Sequence, residues 1–263
     1  MFEERSLTAE LETVRERHAP GALVLDAAGD FETLRPDVAE NLGLRAERLD
    51  PLSYDPAWVP ADAPSVLHRL ASDEFTVGMP GDGGVAWTTQ TVPPTVIVKP
   101  RLAGSPDSFV SFLVAEALVQ AGLGLPDHFL GFFRERYPAL DRAVPLGPAN
   151  TYQLAAALYE AYLGTHTRET FAGWEGDLPD LSAAWADAGS RLEPRLAGLT
   201  REVATGRTDF AAAAELACGA IKHGIEPPTP FGALDTVAYR EHGASYAVTW
   251  AEKTFAKLFE DED

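Results

Sequence analysis

The stretch Phe75-Thr76-Val77-Gly78-Met79-Pro80-Gly81-Asp82-Gly83-Gly84-Val85-Ala86-Trp87-Thr88-Thr89-Gln90-Thr91-Val92-Pro93-Pro94-Thr95-Val96-Ile97-Val98-Lys99 decides how this chain is read. Residues 75–79, 85–91 and 95–99 are short runs rich in β-branched and aromatic side chains. Pro80-Gly81-Asp82-Gly83-Gly84 is a turn cluster, and Pro93-Pro94 ends the second run. Short connections favour antiparallel neighbours, so the pattern predicts a small antiparallel three-stranded meander over about residues 74–99. The glycine cluster is not a phosphate loop, because it lacks the Gly-Lys-Ser/Thr ending and the strand-to-helix context.

Outward from the meander the periodicity changes to helical. On the N-terminal side, Leu7, Leu11 and Val14 predict an amphipathic helix over 4–18, ended by Pro20-Gly21. Residues 22–25 form a short apolar run, strand or buried turn. Pro36 opens a short helix to about Leu42, residues 50–61 read as a proline-rich loop, and another helix runs from about Asp62 to Leu70. On the C-terminal side, Ser105 is the expected cap of a helix reaching Ala121 and closed by Gly122. Further helices are expected over 127–137, over 151–163 with Gly164 as the stop, over 179–204 with an interruption at Pro194, and over 210–223 behind an Asp209 cap. Terminal helices continue through Phe259. The fold class read from this order is α+β, with a predominantly helical C-terminal part packing the meander. One compact domain over 1–263 is expected. A division, if present, separates a mixed part (1–104) from a helical part (105–263).

The composition narrows the class of function. With 263 residues, 46% of them hydrophobic, the chain can bury a substantial core. The net charge of −19 makes nucleic acid and anionic membranes poor partners. No apolar run reaches the ~18 residues of a membrane span, and no leader pattern opens the sequence, so a soluble cytoplasmic protein is expected. Lysine occurs only at Lys99, Lys222, Lys253 and Lys257, against 17 arginines. Carboxylates are dispersed, the one dense run being Glu260-Asp261-Glu262-Asp263. Low lysine with dispersed acid is the look of proteins from salt-accumulating archaea.

Chemistry-bearing motifs are sparse. No two of the six histidines fall at i, i+3 or i+4, and Cys218 is alone, so no local metal-ligand set is present and no metal or cofactor is expected. Cys218 lies on an apolar helix and reads as core. No nucleophile elbow and no dinucleotide-binding glycine pattern occurs. Phe129, Phe132, Phe133 and Tyr137 form one aromatic stripe, and Tyr152, Tyr159 and Tyr162 another; such stripes read as core, with an aromatic-lined groove as the alternative. Two carboxylates stand out. Glu116 is the lone formal charge between Asp107 and Asp127, on a helix apolar on every side, and Glu160 is the lone one between Arg142 and Arg168 with His166 neutral. A helix apolar all round is a buried helix, so Glu116 is expected to be buried and to need a partner. Gln120, one turn on, and Lys99 and Arg101 are the expected partners.

The order meander, apolar helix and later glutamate-bearing helix over about residues 74–163 is similar to the core of zinc metallopeptidases, the zincins. There Ala115-Glu116-Ala117-Leu118-Val119 stands where the family carries His-Glu-x-x-His. The resemblance implies a general-base role for Glu116 and a ligand role for Glu160, but both histidine positions are lost, so zinc catalysis by that route is not available. At whole-chain level, Met1–Arg5, His18–Asp26, Phe75–Gly83 and Val98–Arg101 resemble a haloarchaeal domain family of unknown function. That resemblance implies a haloarchaeal cytosolic protein. Two readings follow: a non-catalytic binding or scaffold protein whose partner is a protein or small ligand, and a hydrolase, active or decayed, centred on Glu116 and Glu160.

Overall fold

In the computed structural model, residues 2–260 are described; residues 261–263 of the acidic tail lie outside them. The fold is α+β and 59% helical, with a small mixed sheet. In chain order the elements begin with β1 (Phe2–Glu4), α1 (Ala9–His18), β2 (Leu23–Ala27), α2 (Pro36–Gly43), β3 (Arg48–Leu49) and α3 (Ser65–Ala71). Then come β4 (Val85–Thr88), β5 (Thr91–Val92), β6 (Thr95–Val98) and α4 (Asp107–Ala121). The remainder is α5 (Phe129–Phe133), α6 (Tyr137–Ala143), α7 (Pro148–Ala172), α8 (Pro179–Leu196), α9 (Leu199–Ala204), α10 (Phe210–Ile221) and α11 (Val237–Glu260). Two compact units divide the chain. The first holds Met1–Ser53, Ser72–Asp127 and Ala172–Trp185; the second holds Tyr54–Ala71, His128–Phe171 and Ala186–Asp263.

The first unit is built on a sheet of order β1-β2-β6-β4. β6 is central and buried along its whole length, as a Thr-Val-Ile-Val run covered on both faces must be. It pairs parallel with β2, from Leu23↔Thr95 to Asp26↔Val98, and antiparallel with β4. Phe2, Leu25, Leu34, Leu42, Phe75, Val77 and Ile97 share one core cluster. Helix α4 packs against α1, β4 and β6. Contacts on several sides explain its lack of a polar face, and Glu116 is buried as its apolar surroundings require.

The sheet corrects the predicted antiparallel meander, since it contains a parallel pair. Residues 75–79 are not a strand. Val77 O accepts instead from Leu34 N at 2.9 Å, Thr76 O accepts from Gln90 Nε2 at 2.8 Å, and Gly78 turns the chain with φ 80°. Phe75 and Val77 are buried all the same; their alternation marks a core-facing segment without a ladder. The run 85–91 splits after Thr88, and Thr91-Val92 pairs with Arg48-Leu49 in a separate two-stranded sheet. Two N-terminal boundaries also move. Residues 2–4 form β1, and α1 starts at Ala9 behind Thr8, whose hydroxyl accepts from Leu11 N. At α4 the cap position is Pro106, with no side-chain cap bond, in place of the expected Ser105.

The second unit is helical. The predicted helix over 127–137 is interrupted: Arg134 has φ 51°, α5 ends before it, and Pro138 sits in the first turn of α6, where its missing N–H costs nothing. The stop expected at Gly164 is absent, and α7 runs through it to Ala172. A Cβ on Gly164 would lie 2.9 Å from Lys222 N, so this glycine serves close packing. Asp209 caps α10 as expected, accepting from Ala212 N at 2.8 Å. The aromatic stripes pack on one another: Phe129 against Tyr137 and Tyr152, and Phe132 against Tyr159 and Tyr162, with centroids 4.7–5.4 Å apart.

Candidate functional site

The parallel pairing of β2 and β6 ends at Asp26 and Val98. In open parallel α/β sheets ligands gather at the carboxyl ends of the strands; this mixed sheet has one parallel pair. The carboxyl end of that pair gathers ionisable groups. Lys99 is the residue after β6, and its backbone N–H continues the ladder onto Gly84 O at 2.8 Å. That fixes its side chain to the inside, and it is fully shielded from solvent. Lysine is almost never fully buried without a partner. The partner is Asp82, from the glycine-rich turn before β4: Oδ1 accepts from Lys99 Nζ, and Oδ2 accepts from Met79 N at 3.0 Å. The Phe31 ring lies 4.6 Å from the ammonium and adds a cation–π contact.

The turn carrying Asp82 depends on Gly78. Its φ of 80° is a conformation that side-chain-bearing residues rarely adopt, and a Cβ there would meet Glu32 O, Phe31 and Asp82 Oδ2 at 3.0–3.1 Å. Outside the pair, Arg101 holds the loop after β2. Its Nε donates to both Asp30 oxygens at 2.8 and 3.0 Å, and its Nη2 reaches both Phe31 O and Glu32 Oε1. The guanidinium beside Asp30 holds that carboxyl below its ordinary range. Burial has the opposite effect on Asp82 and pushes its carboxyl up to about 6, against the pull of Lys99 and with some help from Glu32. Desolvation therefore outweighs pairing at this carboxylate.

A second, partly buried carboxylate, Asp127, orders the break between β4 and β5. It accepts from Thr88 Oγ1 at 2.6 Å, from Thr89 N and Oγ1, and from Gln90 Nε2. Burial raises its pKa above the ordinary value despite these donors.

The two glutamates singled out in the sequence fall in different units. Glu116 is 6% exposed on α4, with Gln120 Nε2 3.4 Å from its Oε1. Lys99 and Arg101, the other expected partners, are engaged with Asp82 and with Asp30 and Glu32. Ala115 and Val119, at the histidine positions of a zincin helix, are buried apolar residues. Glu160 lies on α7, where Lys222 Nζ donates to it at 2.9 Å. Cys218 is buried in the same unit, and desolvation, with Glu160 adding to it, raises its thiol pKa. Among the described residues, no group of three or more His, Cys, Asp or Glu is placed to hold a metal ion.

The Lys99–Asp82 pair was missed by the sequence reading. Asp82 reads as an ordinary turn residue, and Lys99 as a strand-end partner for Glu116. The available signal was Lys99 itself, following a four-residue run apolar enough to be buried on both faces. The chain belongs to a family of unknown function, DUF7089, which matches residues 1–258. No curated protein and no solved structure matches the chain. Among the described residues, no helix is long and apolar enough to cross a membrane.

Proposed function

We propose that this is a non-catalytic binding protein, working in the salt-loaded cytosol of a halophilic archaeon, with its binding edge at the carboxyl ends of β2 and β6. The observation that carries the reading is the commitment of ionisable groups to neighbours within their own unit. Lys99 is held by Asp82, Arg101 by Asp30 and Glu32, Glu160 by Lys222, and Asp127 by Thr88, Thr89 and Gln90. A general base or a nucleophile works with a lone pair available to substrate; these groups are arranged as fasteners. The net charge of −19, spread along the chain and carried with four lysines, supports the halophilic setting. The partner is a protein or small ligand, and the acidic surface argues against nucleic acid.

The competing hydrolase centred on Glu116 and Glu160 gives the test. The untagged protein in molar KCl, supplied with one equivalent of zinc, is incubated with a mixed-sequence peptide library and the products are read by mass spectrometry. The library is expected to remain intact. Cleavage that Glu116→Gln abolishes would overturn the binding-protein reading.

A further inference from the structure

We propose that the Lys99 ammonium is a binding site for a small oxyanion, a carboxylate or phosphate group, whose place Asp82 fills in the ligand-free chain. This deepens the reading of the chain as a binding protein and rests on it. Three features of the first unit support it. The first is position. Lys99 stands at the carboxyl end of the parallel β2–β6 pair, with Phe31 over the ammonium and Arg101 two residues on, so that two cations flank one edge.

The second is the nature of the fastener. The turn is anchored at its ends by backbone bonds, Leu34 N to Val77 O and Lys99 N to Gly84 O. Between those anchors Asp82 accepts from Lys99 Nζ and, within the turn, from Met79 N. Gly78, Gly81 and Gly83 all have positive φ, so three positions of the turn, beside Met79, Pro80 and Asp82, are ones that change conformation at low cost.

The third is that the ionised Asp82 is held at a cost. Its carboxyl titrates higher in the closed turn than in water, because burial outweighs the attraction of Lys99. Releasing the turn returns Asp82 to water, while an incoming oxyanion takes over the charge of Lys99 and the burial that goes with it. The sign follows from the same shift: the closed turn binds a proton more tightly than the open one, so acid favours closure and displacement is easier above pH ~6. Asp30 and Glu32 face the same edge as like charges to the ligand, and Arg101 neutralises part of their field.

The test is an amide NMR titration of the full chain at pH 7.5, with potassium acetate and potassium phosphate as separate probes and ionic strength held constant with KCl. Saturable shifts of the Met79, Asp82 and Gly83 amides are expected with at least one probe, and their loss is expected in Lys99→Met. Response to acetate alone assigns a carboxylate ligand, and response to phosphate alone assigns a phosphate. Asp82→Asn, which weakens the internal competitor, is expected to bind the active probe about tenfold more tightly. No saturable shift with either probe, or shifts that persist in a folded Lys99→Met, would overturn the proposal. If Lys99→Met does not fold, the Asp82→Asn affinity decides: a value equal to or weaker than wild type overturns it. Peptide cleavage would count against the binding-protein reading and leave these shifts in place, so the two failures are distinguishable.

Discussion

The Lys99 side chain is fully shielded from solvent, and Asp82, which neutralises it, keeps 17% of its own side chain exposed. The pair is unequal, and its two halves respond differently to removal. Asp82→Asn leaves a buried cation without its counter-charge but also removes the desolvation of the ionised carboxylate, so its cost is expected at or below the lower end of ~3–5 kcal/mol. Lys99→Met leaves a carboxyl that reaches water and accepts a proton readily, so ~1–3 kcal/mol is expected. Urea unfolding of both single variants and of the double variant Lys99→Met/Asp82→Asn measures the coupling. The double variant is expected to be more stable than Asp82→Asn alone. A double variant that loses the sum of the two single losses would mean the side chains do not interact.

His128 supplies a pH dependence in the second unit. Its Nδ1 accepts from Leu130 N at the start of α5, and burial lowers its pKa to about 4. The folded value lies below the unfolded one, so the unfolded chain binds a proton that the folded chain refuses. The contribution of His128 is therefore full above pH ~6.5 and is lost as pH falls towards 4, by about 3 kcal/mol in all. Asp82 and Asp127, whose values are raised, contribute in the opposite sense as pH falls. Comparison of wild type with His128→Asn, which keeps an acceptor at the cap, isolates the effect. Chemical denaturation between pH 7.5 and 4.5 is expected to show the variant losing less stability than wild type.

Two glycines give opposite outcomes. Gly243 breaks α11 with φ 47° and ψ −123°, and a Cβ there would lie 3.1 Å from Phe132. Gly243→Ala is expected to destabilise by ~1–3 kcal/mol. Gly219 lies inside α10, and a Cβ there would meet nothing within 4 Å. Gly219→Ala is expected to stabilise by ~0.5–1 kcal/mol. Thermal melts of both variants check the pair.

The proposed halophilic setting predicts a salt dependence. Dialysis from molar KCl to ~0.01 M salt lengthens screening to ~30 Å and exposes the net charge of −19 to its own repulsion. The melting temperature is expected to fall. A melting temperature that holds or rises would remove the adaptation argument.

Much of the helical part was legible because its signals are local. Asp209 caps α10, Gly122 closes α4, and the charge-free run around Glu116 reports burial directly. The sheet was less legible because its pairing is not local. Nothing in Leu23–Ala27 or Thr95–Val98 says that they pair in parallel, since the choice depends on the long crossover between them. The 75–79 run failed for a related reason. Alternating Phe75 and Val77 satisfy the core without a ladder, and Gly78 with φ 80° takes the chain away from one. The candidate site is made of two turn segments and a strand end brought together by that crossover. Sequence spacing therefore showed Glu116 and Glu160, which stand out along the chain, and hid Asp82 and Lys99, which meet only in space.

The most direct test of the account is competitive acylation of the four lysines in the native protein, read residue by residue by mass spectrometry. Lys253 and Lys257 are exposed on α11 and serve as internal standards. The account predicts that Lys99 reacts far more slowly than both standards, and that Asp82→Asn speeds its reaction. Acylation of Lys99 in the wild-type chain at the rate of Lys253 and Lys257 would contradict it.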